Sequence, residues 1–552
     1  MMAARFLLMI ACAAACLAAR PALALDAEAR SALAAAAAPE AADRIKADLA
    51  YLADDRRKGR EAGTQGHLDA ARYVAARMEA IGLAPGAEGD WFQQVKLRTA
   101  RRESGAARMT LIAPDGRREG LVHLKDFLIG QFFGQPEVAV TAPAIFVGYG
   151  VADETSGYDD YLGLDARGKI VVVFDGAPRS FDSDRRAHFA SDLNKRATAA
   201  ARGAVGFILI RTKEDEERRP WSKTVGSAED PAMTFAGDDG AAFGATPRIV
   251  AGALMSHDGA EKLFDGALYS YKDLRRREEK GAPLAGFDLP RAVRLSGVMS
   301  FNSVTSPNVV GLIEGRDPIL AKEAVALTAH LDHIGAGPPK AGEDRINNGA
   351  LDNALGVAIL LDVARALAAA QPRRSIVIVA TTAEEKGLLG AGYYASHPGE
   401  KRIVADINID MPTALYDFSD IVAIGAERST LGALVDEAAS EMGVAVTPDP
   451  FPELGIFTRS DHYRFVERGI PSVFILYGYG NGGEKIFKNF MKNAYHKPTD
   501  DISLPINYPS AARFSALGAH LARKVADADA APVWAKGDFF GEIFAKPEAG
   551  GD

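Results

Sequence analysis

EAVALTAH, residues 323–330, is a run of apolar and β-branched residues that ends in a histidine. Two similar runs follow it: SIVIVATTA, residues 375–383, precedes Glu384, and IVADINID, residues 403–410, ends in Asp410. Short runs rich in β-branched residues are typical of buried strands. Each run is therefore predicted to be a strand that carries a polar residue to its carboxyl end.

The segments around these runs alternate between strand and helix patterns. Such alternation predicts an α/β fold with a mixed, largely parallel sheet flanked by helices. In a sheet of this kind, the side chains that follow the carboxyl ends of the strands form the ligand site. The predicted strands are 323–330, 374–381, 403–410 and 470–477, and the predicted helices are 353–370, 430–442 and 510–527.

The rest of the chain divides into segments of different character. Residues 25–110 begin with helical patterns, including an amphipathic helix at 67–81, whereas 111–292 are predicted to form a β-rich insert with some helix. The alternating part then extends over 293–530. The Ala-, Pro- and Gly-rich tail, 531–552, is predicted to be loosely ordered.

The first 24 residues have the pattern of a secretory signal peptide. Arg5 precedes the apolar segment 6–19, which is shorter than an ordinary membrane-spanning helix, and Ala22-Leu23-Ala24 is a cleavage motif. An uncleaved anchor and a lipoprotein are the alternatives, the second because both cysteines lie in this segment. We expect export to the periplasm or the extracellular space and no further membrane span.

Composition argues against several classes of protein. Cys12 and Cys16 are the only cysteines, so the chain after cleavage would contain neither disulfides nor a cysteine nucleophile. The formal net charge of −9, without a basic patch, argues against nucleic-acid binding. The motifs H-E-x-x-H and G-x-S-x-G are absent, which removes support for single-zinc helical proteases and α/β-hydrolases.

Six residues of types that bind metals or move protons follow the predicted strands or lie in nearby loops. Each has an ordinary structural explanation when taken alone, such as a histidine bonded to backbone, a helix N-cap or an exposed acidic turn. Their repetition at strand ends instead predicts the site of a metal-assisted hydrolase. They are His330, Asp352, Glu384, Glu385, Asp410 and His496.

These residues can be divided into two sets of metal ligands and one base. Asp352 would bridge two metals, since a carboxylate has two oxygens. Zinc suits histidine and carboxylate ligands, and manganese or cobalt could replace it. Glu384 would face an incoming water as general base. One metal would take His330, Asp352 and Asp410, and the other Asp352, Glu385 and His496.

Asp332 and His333, two neighbours of His330, are further candidates. A histidine ligand usually has its second ring nitrogen held by a carboxylate or carbonyl, and Asp332 is close enough in sequence to supply one. His333 is expected to be less suited as a ligand, because its side chain would point the same way as Leu331 if the strand continued.

The alternating part contains, in this order, AHLDH (329–333), GALDNALGVAILL (349–361), TTAEEKGLLGAGYY (381–394), INIDM (407–411) and YHKPTDD (495–501). In order and spacing these stretches resemble peptidase family M28, a family of co-catalytic zinc peptidases. The insert contains FVGYGV (146–151), GKIVVVFDG (168–176) and KRATAAARGAVGFILI (195–210). This second set resembles a protease-associated domain.

The resemblance implies the same roles for the six residues, with two zinc ions per chain. It adds Asp332 as the residue that orients His330, and Tyr495 as a residue that polarises the scissile carbonyl. It also implies a cis peptide bond between Asp352 and Asn353.

The expected function is that of a secreted metal-dependent peptidase acting on peptides, most simply an aminopeptidase. A carboxypeptidase or dipeptidase is the main alternative, in which Arg459 and Arg464, close to Asp461 and His462, could hold a substrate carboxylate. A glutaminyl cyclase and a receptor-like protein on an inactive peptidase scaffold are further alternatives.

Overall fold

The computed structural model of the chain describes residues 25–103, 105–237 and 239–545. The predicted signal peptide and the last residues of the predicted tail lie outside these ranges. The described helices are α1 Ala27–Ala35, α2 Ala41–Leu52, α3 Gln65–Ile81, α4 Ser183–Ala190, α5 Asp192–Ala201, α6 Lys213–Arg218, α7 Trp221–Gly226, α8 His257–Leu263, α9 Tyr271–Glu279, α10 Leu355–Ala370, α11 Leu389–Ser396, α12 Leu431–Glu441, α13 His462–Val466, α14 Gly483–Asn493, α15 Tyr508–Asp527 and α16 Phe539–Phe544.

The strands range from two-residue pairs to one of 22 residues. They are β1 Ala84–Pro85, β2 Phe92–Arg102, β3 Arg108–Ile112, β4 Arg118–Leu121, β5 Phe127–Ile129, β6 Glu137–Ala142, β7 Ala144–Phe146, β8 Ala152–Asp153, β9 Tyr158–Asp159, β10 Ile170–Phe174, β11 Gly206–Ile210, β12 Ala232–Phe235, β13 Ala251–Met255, β14 Phe287–Asp288, β15 Ala292–Ile313, β16 Glu323–His330, β17 Ser375–Thr381, β18 Arg402–Ile409, β19 Asp420–Ile424, β20 Ala445–Val446 and β21 Ser472–Tyr477.

The fold is α/β, with a large mixed sheet flanked by helices, as predicted. The main sheet has the order β12-β2-β15-β17-β16-β18-β21-β19-β20. Its central strands β17, β16, β18 and β21 are parallel, β15 and β2 pair antiparallel to their neighbours, and β19 pairs antiparallel to β21 but parallel to β20. The strands and helices predicted between 323 and 527 are confirmed to within two residues at either end.

The central strands are buried on both faces, which explains their continuous apolar sequences. Val325 and Leu327 of β16 belong to the apolar cluster that includes α2, α3, α10, α12 and α15. Ala324 and Ala326, which point the other way, belong to the cluster that includes α11 and α13. The helices therefore cover both faces and leave the carboxyl ends of the strands open for a site.

The insert contains a second sheet with the order β14-β7-β10-β11-β13-β5. Strands β7, β10, β11 and β13 are parallel and are packed into their own apolar clusters. The insert is nevertheless tied to the main sheet, because β15 pairs with β3 and β6 at its start and with β2 and β17 further along. The predicted boundary at 292/293 falls at the first residues of β15.

The prediction of a loosely ordered tail is wrong for the part of the tail that the structure describes. The indole of Trp534 donates a hydrogen bond to the carbonyl of Gly469 at 2.8 Å. Phe540 is fully buried in a cluster with Phe457 and Tyr463. The Ala, Pro and Gly content suggested disorder, but the few aromatic residues of this segment bury enough apolar surface to order it.

One helical stretch in the described residues, Ala350–Ala370, passes a length and composition test for a membrane span, with a mean hydropathy of 1.6. Of its most apolar window, 72% is buried inside the fold. It packs against α2, α15 and β16. A helix at the centre of an α/β fold has this composition for the same reason as a spanning helix, which is burial on all sides.

Candidate metal centre

The carboxyl ends of three neighbouring strands bring most of the predicted residues together. His330 is the last residue of β16, and Asp410 directly follows β18. Glu384 and Glu385 follow β17 after a short turn. Because β16 pairs in parallel with both β17 and β18, all three ends lie at the same edge of the sheet.

His330, Asp352 and Asp410 form a first cluster of possible metal ligands. The Nε2 atom of His330 lies 3.0 Å from Oδ1 of Asp410 and 3.2 Å from Oδ1 of Asp352. All three residues are buried. The second oxygen of Asp410 accepts a hydrogen bond from the hydroxyl of Ser460 at 2.7 Å, which turns Oδ1 towards the cluster.

A second cluster contains His333, Asp352 and Glu385, with His496 beside it. Nε2 of His496 lies 3.2 Å from Oδ2 of Asp352 and 3.4 Å from Oε2 of Glu385. Nδ1 of His333 lies 2.7 Å from Oε1 of Glu385, but neither atom has hydrogen-bond geometry to a partner in the described residues. Donor atoms that converge without bonding each other are arranged as ligands of a common ion.

Asp352 connects the two clusters through its separate oxygens. Oδ1 faces His330, and Oδ2 faces His496. The residue lies in a distorted turn, 350–354, that precedes α10, so it is not the N-cap of that helix. The Asp352–Asn353 peptide bond is cis, as the resemblance implied.

The backbone around Asp352 is held by residues on either side of it. The carboxylate of Asp500 accepts hydrogen bonds from the N–H groups of Leu351, at 2.9 Å, and Asp352, at 3.1 Å. Gly349 has φ 58°, and a Cβ there would come within 2.1 Å of the Asp352 carbonyl and 2.6 Å of the His333 ring. Only glycine fits this position, because it needs both a left-handed backbone and close approach.

Asp332 contacts His330 through its main chain. The Nδ1–H of His330 donates to the carbonyl of Asp332 at 2.9 Å, since a carbonyl can only accept. In the neutral imidazole this leaves the lone pair on Nε2, the atom that faces Asp352 and Asp410. The carboxylate of Asp332 instead accepts a hydrogen bond from the N–H of Glu384 at 3.0 Å.

Glu384 and Glu385 have different surroundings. Glu385 belongs to the second cluster, whereas the carboxylate of Glu384 makes no hydrogen bond or ion pair to the described residues. Burial raises the pKa of Glu384 well above its ordinary value, and the nearby carboxylates of Glu385 and Asp410 add to this effect. Glu384 is thus a carboxyl group beside both clusters with an unusually high proton affinity.

The electrostatics of the site favour bound cations. Burial opposes protonation of His330, but the charges of Asp410, Glu384 and Asp352 outweigh it and raise the pKa of His330 well above 6.5. The pKa of Asp352 lies well below its ordinary value, because the surrounding histidines outweigh the effect of its burial. The carboxylates therefore attract positive charge, and divalent ions would replace these protons.

Tyr495 is placed beside the second cluster. Its ring stacks on that of His496 with centroids 3.9 Å apart, and its hydroxyl makes no hydrogen bond to the described residues. Burial raises the pKa of Tyr495, and the carboxylates of Asp352 and Glu385 raise it further, so the phenol stays protonated. It can therefore donate a hydrogen bond to a bound molecule.

Arg459 and His462, two of the residues predicted to bind substrate, lie in different surroundings, and Arg464 forms an ion pair with Glu467 at 2.7 Å. Arg459 is exposed, has no ion pair in the described residues, and lines a cavity of about 600 Å³ between the insert and the main sheet. Its charge opposes the rise in the pKa of Tyr495. His462 is fully buried between Phe457 and Phe474, and the structure does not bring it to the site.

Sequence reasoning missed two residues and set aside a third. Asp500 holds the backbone of Asp352, and Ser460 holds Asp410, but no local pattern identifies such contacts. His333 was expected to point away from the site. The strand ends at His330, so the alternation of side chains stops there and His333 turns into the second cluster. The H-x-x-H spacing of His330 and His333 was the available signal.

Comparisons with known proteins agree with this site. The model of peptidase family M28 matches residues 308–522, a range that contains every donor described above. Aminopeptidase YwaD of Bacillus subtilis (strain 168) is 28% identical over 208 residues, which are 37% of this chain and 41% of that protein. Probable leucine aminopeptidase 2 of Aspergillus oryzae (strain ATCC 42149 / RIB 40) is 29% identical over 182 residues, 30% of this chain and 33% of that protein. The chain thus matches less than half of the length of either relative.

A solved structure resembles the chain over most of its length. The aminopeptidase from Aneurinibacillus sp. strain AM-1 superposes with a TM-score of 0.50 at 18% sequence identity. The superposition covers 90% of this chain and 96% of that one. At this identity the likeness shows the fold alone, and it extends well beyond the residues that match the family.

Proposed function

The chain carries a peptidase family M28 domain, and from this premise we propose that it is a metal-dependent peptidase that removes residues from the N-termini of peptides. One observation carries the proposal. Asp352 offers one oxygen to each of two donor clusters, and Glu384 lies beside them without belonging to either. This is the arrangement of a two-metal hydrolase with a separate base.

We propose two zinc ions per chain, with manganese or cobalt as possible substitutes. His330, Asp352 and Asp410 would hold one ion, and Asp352, Glu385 and His496 the other. Imidazole nitrogens and carboxylate oxygens in sets of this size suit zinc. Divalent ions bound here supply Lewis acidity, which polarises a carbonyl and activates water near neutral pH.

The residues of the chain itself would orient the substrate and move the proton. Glu384 would take a proton from the attacking water and give it to the leaving amine, a role that suits a buried carboxylate with a raised pKa. The free hydroxyl of Tyr495 would donate a hydrogen bond to the oxygen of the scissile carbonyl as negative charge develops there. Asp332 would keep the lone pair of His330 on Nε2.

The preference for N-termini is supported by the names of the relatives, which are aminopeptidases. It is tested with amino-acid p-nitroanilides and the same compounds carrying an N-acetyl group. We expect cleavage of the free compounds only, loss of activity on dialysis against a chelator, and recovery with zinc. Faster cleavage of the acetylated compounds would contradict the aminopeptidase assignment.

Arg459 favours a second candidate, a carboxypeptidase or dipeptidase. It forms no ion pair within the described residues, lines the cavity and lies close enough to affect the pKa of Tyr495. Such a guanidinium suits a peptide carboxylate. Dipeptides with free and amidated C-termini distinguish the two functions, because only this second candidate requires the free carboxylate.

We also propose that the protein is exported, on the basis of the charged, apolar and small-residue segments in residues 1–24. N-terminal sequencing of the protein purified from cell fractions tests this proposal. An N-terminus at Leu25 in an extracytoplasmic fraction is expected, and an intact Met1 in the cytoplasm would contradict it.

A further inference from the structure

Arg60 lies far from the metal-binding residues in sequence but between their loops in space. It belongs to the segment 55–60, in which Lys58, Gly59 and Arg60 all have positive φ. A Cβ on Gly59 would come within 2.3 Å of the carbonyl of Asn347 and 2.7 Å of that of Gly335. A conformation so restricted persists only where its surroundings define it closely.

The guanidinium of Arg60 is fully buried and, among the described residues, donates only to main-chain carbonyls. Nε donates to Leu331 at 2.9 Å, and Nη2 donates to Gly349 at 3.0 Å. Nη1 donates to Asn348 at 2.6 Å and to Leu52 at 2.7 Å. One side chain thus joins the loop after β16 to the loop before α10.

These two loops carry ligands of both clusters. Leu331 lies between His330 and Asp332, and Gly349 begins the turn that presents Asp352. A shift between the loops would change the distance from Nε2 of His330 to Oδ1 of Asp352, now 3.2 Å. The guanidinium of Arg60 therefore connects the two loops whose relative position sets the geometry of the first cluster.

Arg60 is also an isolated positive charge beneath an acidic site. Burial lowers its pKa to about 10, opposed by the charges of Asp500, Asp332 and Asp352, so it stays protonated at neutral pH. No carboxylate lies within ion-pair distance of it in the described residues. A buried cation held only by carbonyls is costly unless its position serves the surrounding charges.

We propose that Arg60 is a positioning residue that arranges the loops of His330 and Asp352 for metal binding before the metal arrives. This inference rests on the proposed function only in assuming that the site binds metal, and not on which substrate is cleaved. Loss of a group that supports metal ligands typically weakens metal affinity by ~10- to 100-fold. A change of that size is expected when Arg60 is replaced.

Arg374 provides a matched control. It is also almost fully buried, at 1% exposure, and it donates to the carbonyl of Ala528 and to Glu323 at 2.7 Å. Glu323 begins β16, the strand that His330 ends, so this arginine lies at the opposite end of the sheet, roughly 23 Å away at 3.3 Å per residue. Its loss should affect folding without affecting the metal site.

The experiment compares Arg60→Met, Arg60→Lys and Arg374→Met as full-length, metal-free proteins. Zinc affinity is measured by competition with a chromogenic chelator, and folding is checked by circular dichroism and thermal unfolding. We expect Arg60→Met to bind zinc ~10- to 100-fold more weakly than the wild type. Lysine keeps the charge but lacks the planar guanidinium, so the zinc affinity of Arg60→Lys should lie between those of Arg60→Met and the wild type. Arg374→Met should bind like the wild type.

Two results would overturn the inference. One is wild-type zinc affinity in a folded Arg60→Met protein, and the other is equal weakening in Arg374→Met. If Arg60→Met does not fold, Arg60→Lys decides, since unchanged affinity there would also overturn the inference. Because affinity is measured without substrate, a negative peptidase assay would contradict the proposed function while leaving this result intact.

Discussion

Glu384 and Glu385 show how much is decided at the scale of single residues. They are adjacent, yet Glu385 contacts His333 and His496 while the carboxylate of Glu384 has no partner in the described residues. A carboxylate that binds metal tightly is a poor base, because its lone pairs are engaged. The separation of roles between the two glutamates is therefore the most direct test of the proposed chemistry.

Glu384→Gln is expected to lower kcat by ~10²- to 10⁴-fold, because the amide cannot accept the proton. Its metal content should stay at the wild-type value, since Glu384 belongs to neither donor cluster. Glu385→Gln is the matched variant and should lose metal as well as activity. Turnover on an aminoacyl anilide and elemental analysis measure both. Near-normal turnover in Glu384→Gln would reassign the base.

A second question at the scale of single residues is whether His333 or His496 is the histidine ligand of the second cluster. Nε2 of His496 is nearly equidistant from Asp352 and Glu385, at 3.2 and 3.4 Å, whereas Nδ1 of His333 is close to Glu385 but 3.8 Å from Asp352. We therefore expect His496→Ala to lose one of two metals and His333→Ala to keep both. The metal-to-protein ratio of each variant measures this. Loss of one metal from His333→Ala, with both kept by His496→Ala, would instead make His333 the ligand.

At the scale of elements, the start of the short helix α13 places two residues predicted to bind substrate in different surroundings. Its first residue, His462, is buried between aromatic rings, whereas Arg459, just before it, faces the cavity. Burial lowers the pKa of His462 to about 3, so the folded protein holds this ring neutral. His462 therefore makes the free energy of unfolding depend on pH, independently of the metal clusters.

The sign of this dependence follows from the two pKa values. The unfolded chain binds a proton at His462 below about pH 6.5 and the folded protein does not, so acid favours unfolding by up to about 1.4 kcal/mol per pH unit between 6.5 and 3. His462→Phe should remove this contribution. Urea unfolding at several pH values from 7.5 to 5 measures the slopes, and equal slopes in both proteins would contradict the burial argument.

At the scale of the whole molecule, the tail fastens the insert to the main sheet. The guanidinium of Arg428 contacts Asp538 of the tail at 2.9 Å and Asp184 of the insert, and stacks on Phe540. His188 of α4 packs against the same tail helix. The cavity that Arg459 lines lies between the parts that these contacts hold together.

Phe540→Ala should therefore loosen the insert as well as destabilise the protein, since removal of a buried phenylalanine costs about 3–5 kcal/mol. Amide exchange in α4 should rise more than in α15, which lies in the main apolar cluster. Val533→Ala, at a 59% exposed position of the same segment, is the control. It should change neither the stability of the protein nor the amide exchange of α4. Equal increases in both helices would mean that the tail only adds global stability.

The sequence by itself determined the central strands, the helices between them and the donors at the strand ends. These depend on local periodicity, and a strand end is visible wherever an apolar run stops at a polar residue. The division into two sets with Asp352 between them also followed from residue types and order, and the structure places the oxygens of Asp352 accordingly.

Only the tertiary structure decided which residues support those donors. His333 enters the second cluster because β16 ends at His330, so the alternation of side chains along the strand does not extend to His333. Arg60 lies 271 residues from Leu331, and Phe540 of the tail contacts His188 of α4 across a still longer span. Contacts of this kind depend on how distant segments meet in space, and no local pattern of apolar and polar residues records that.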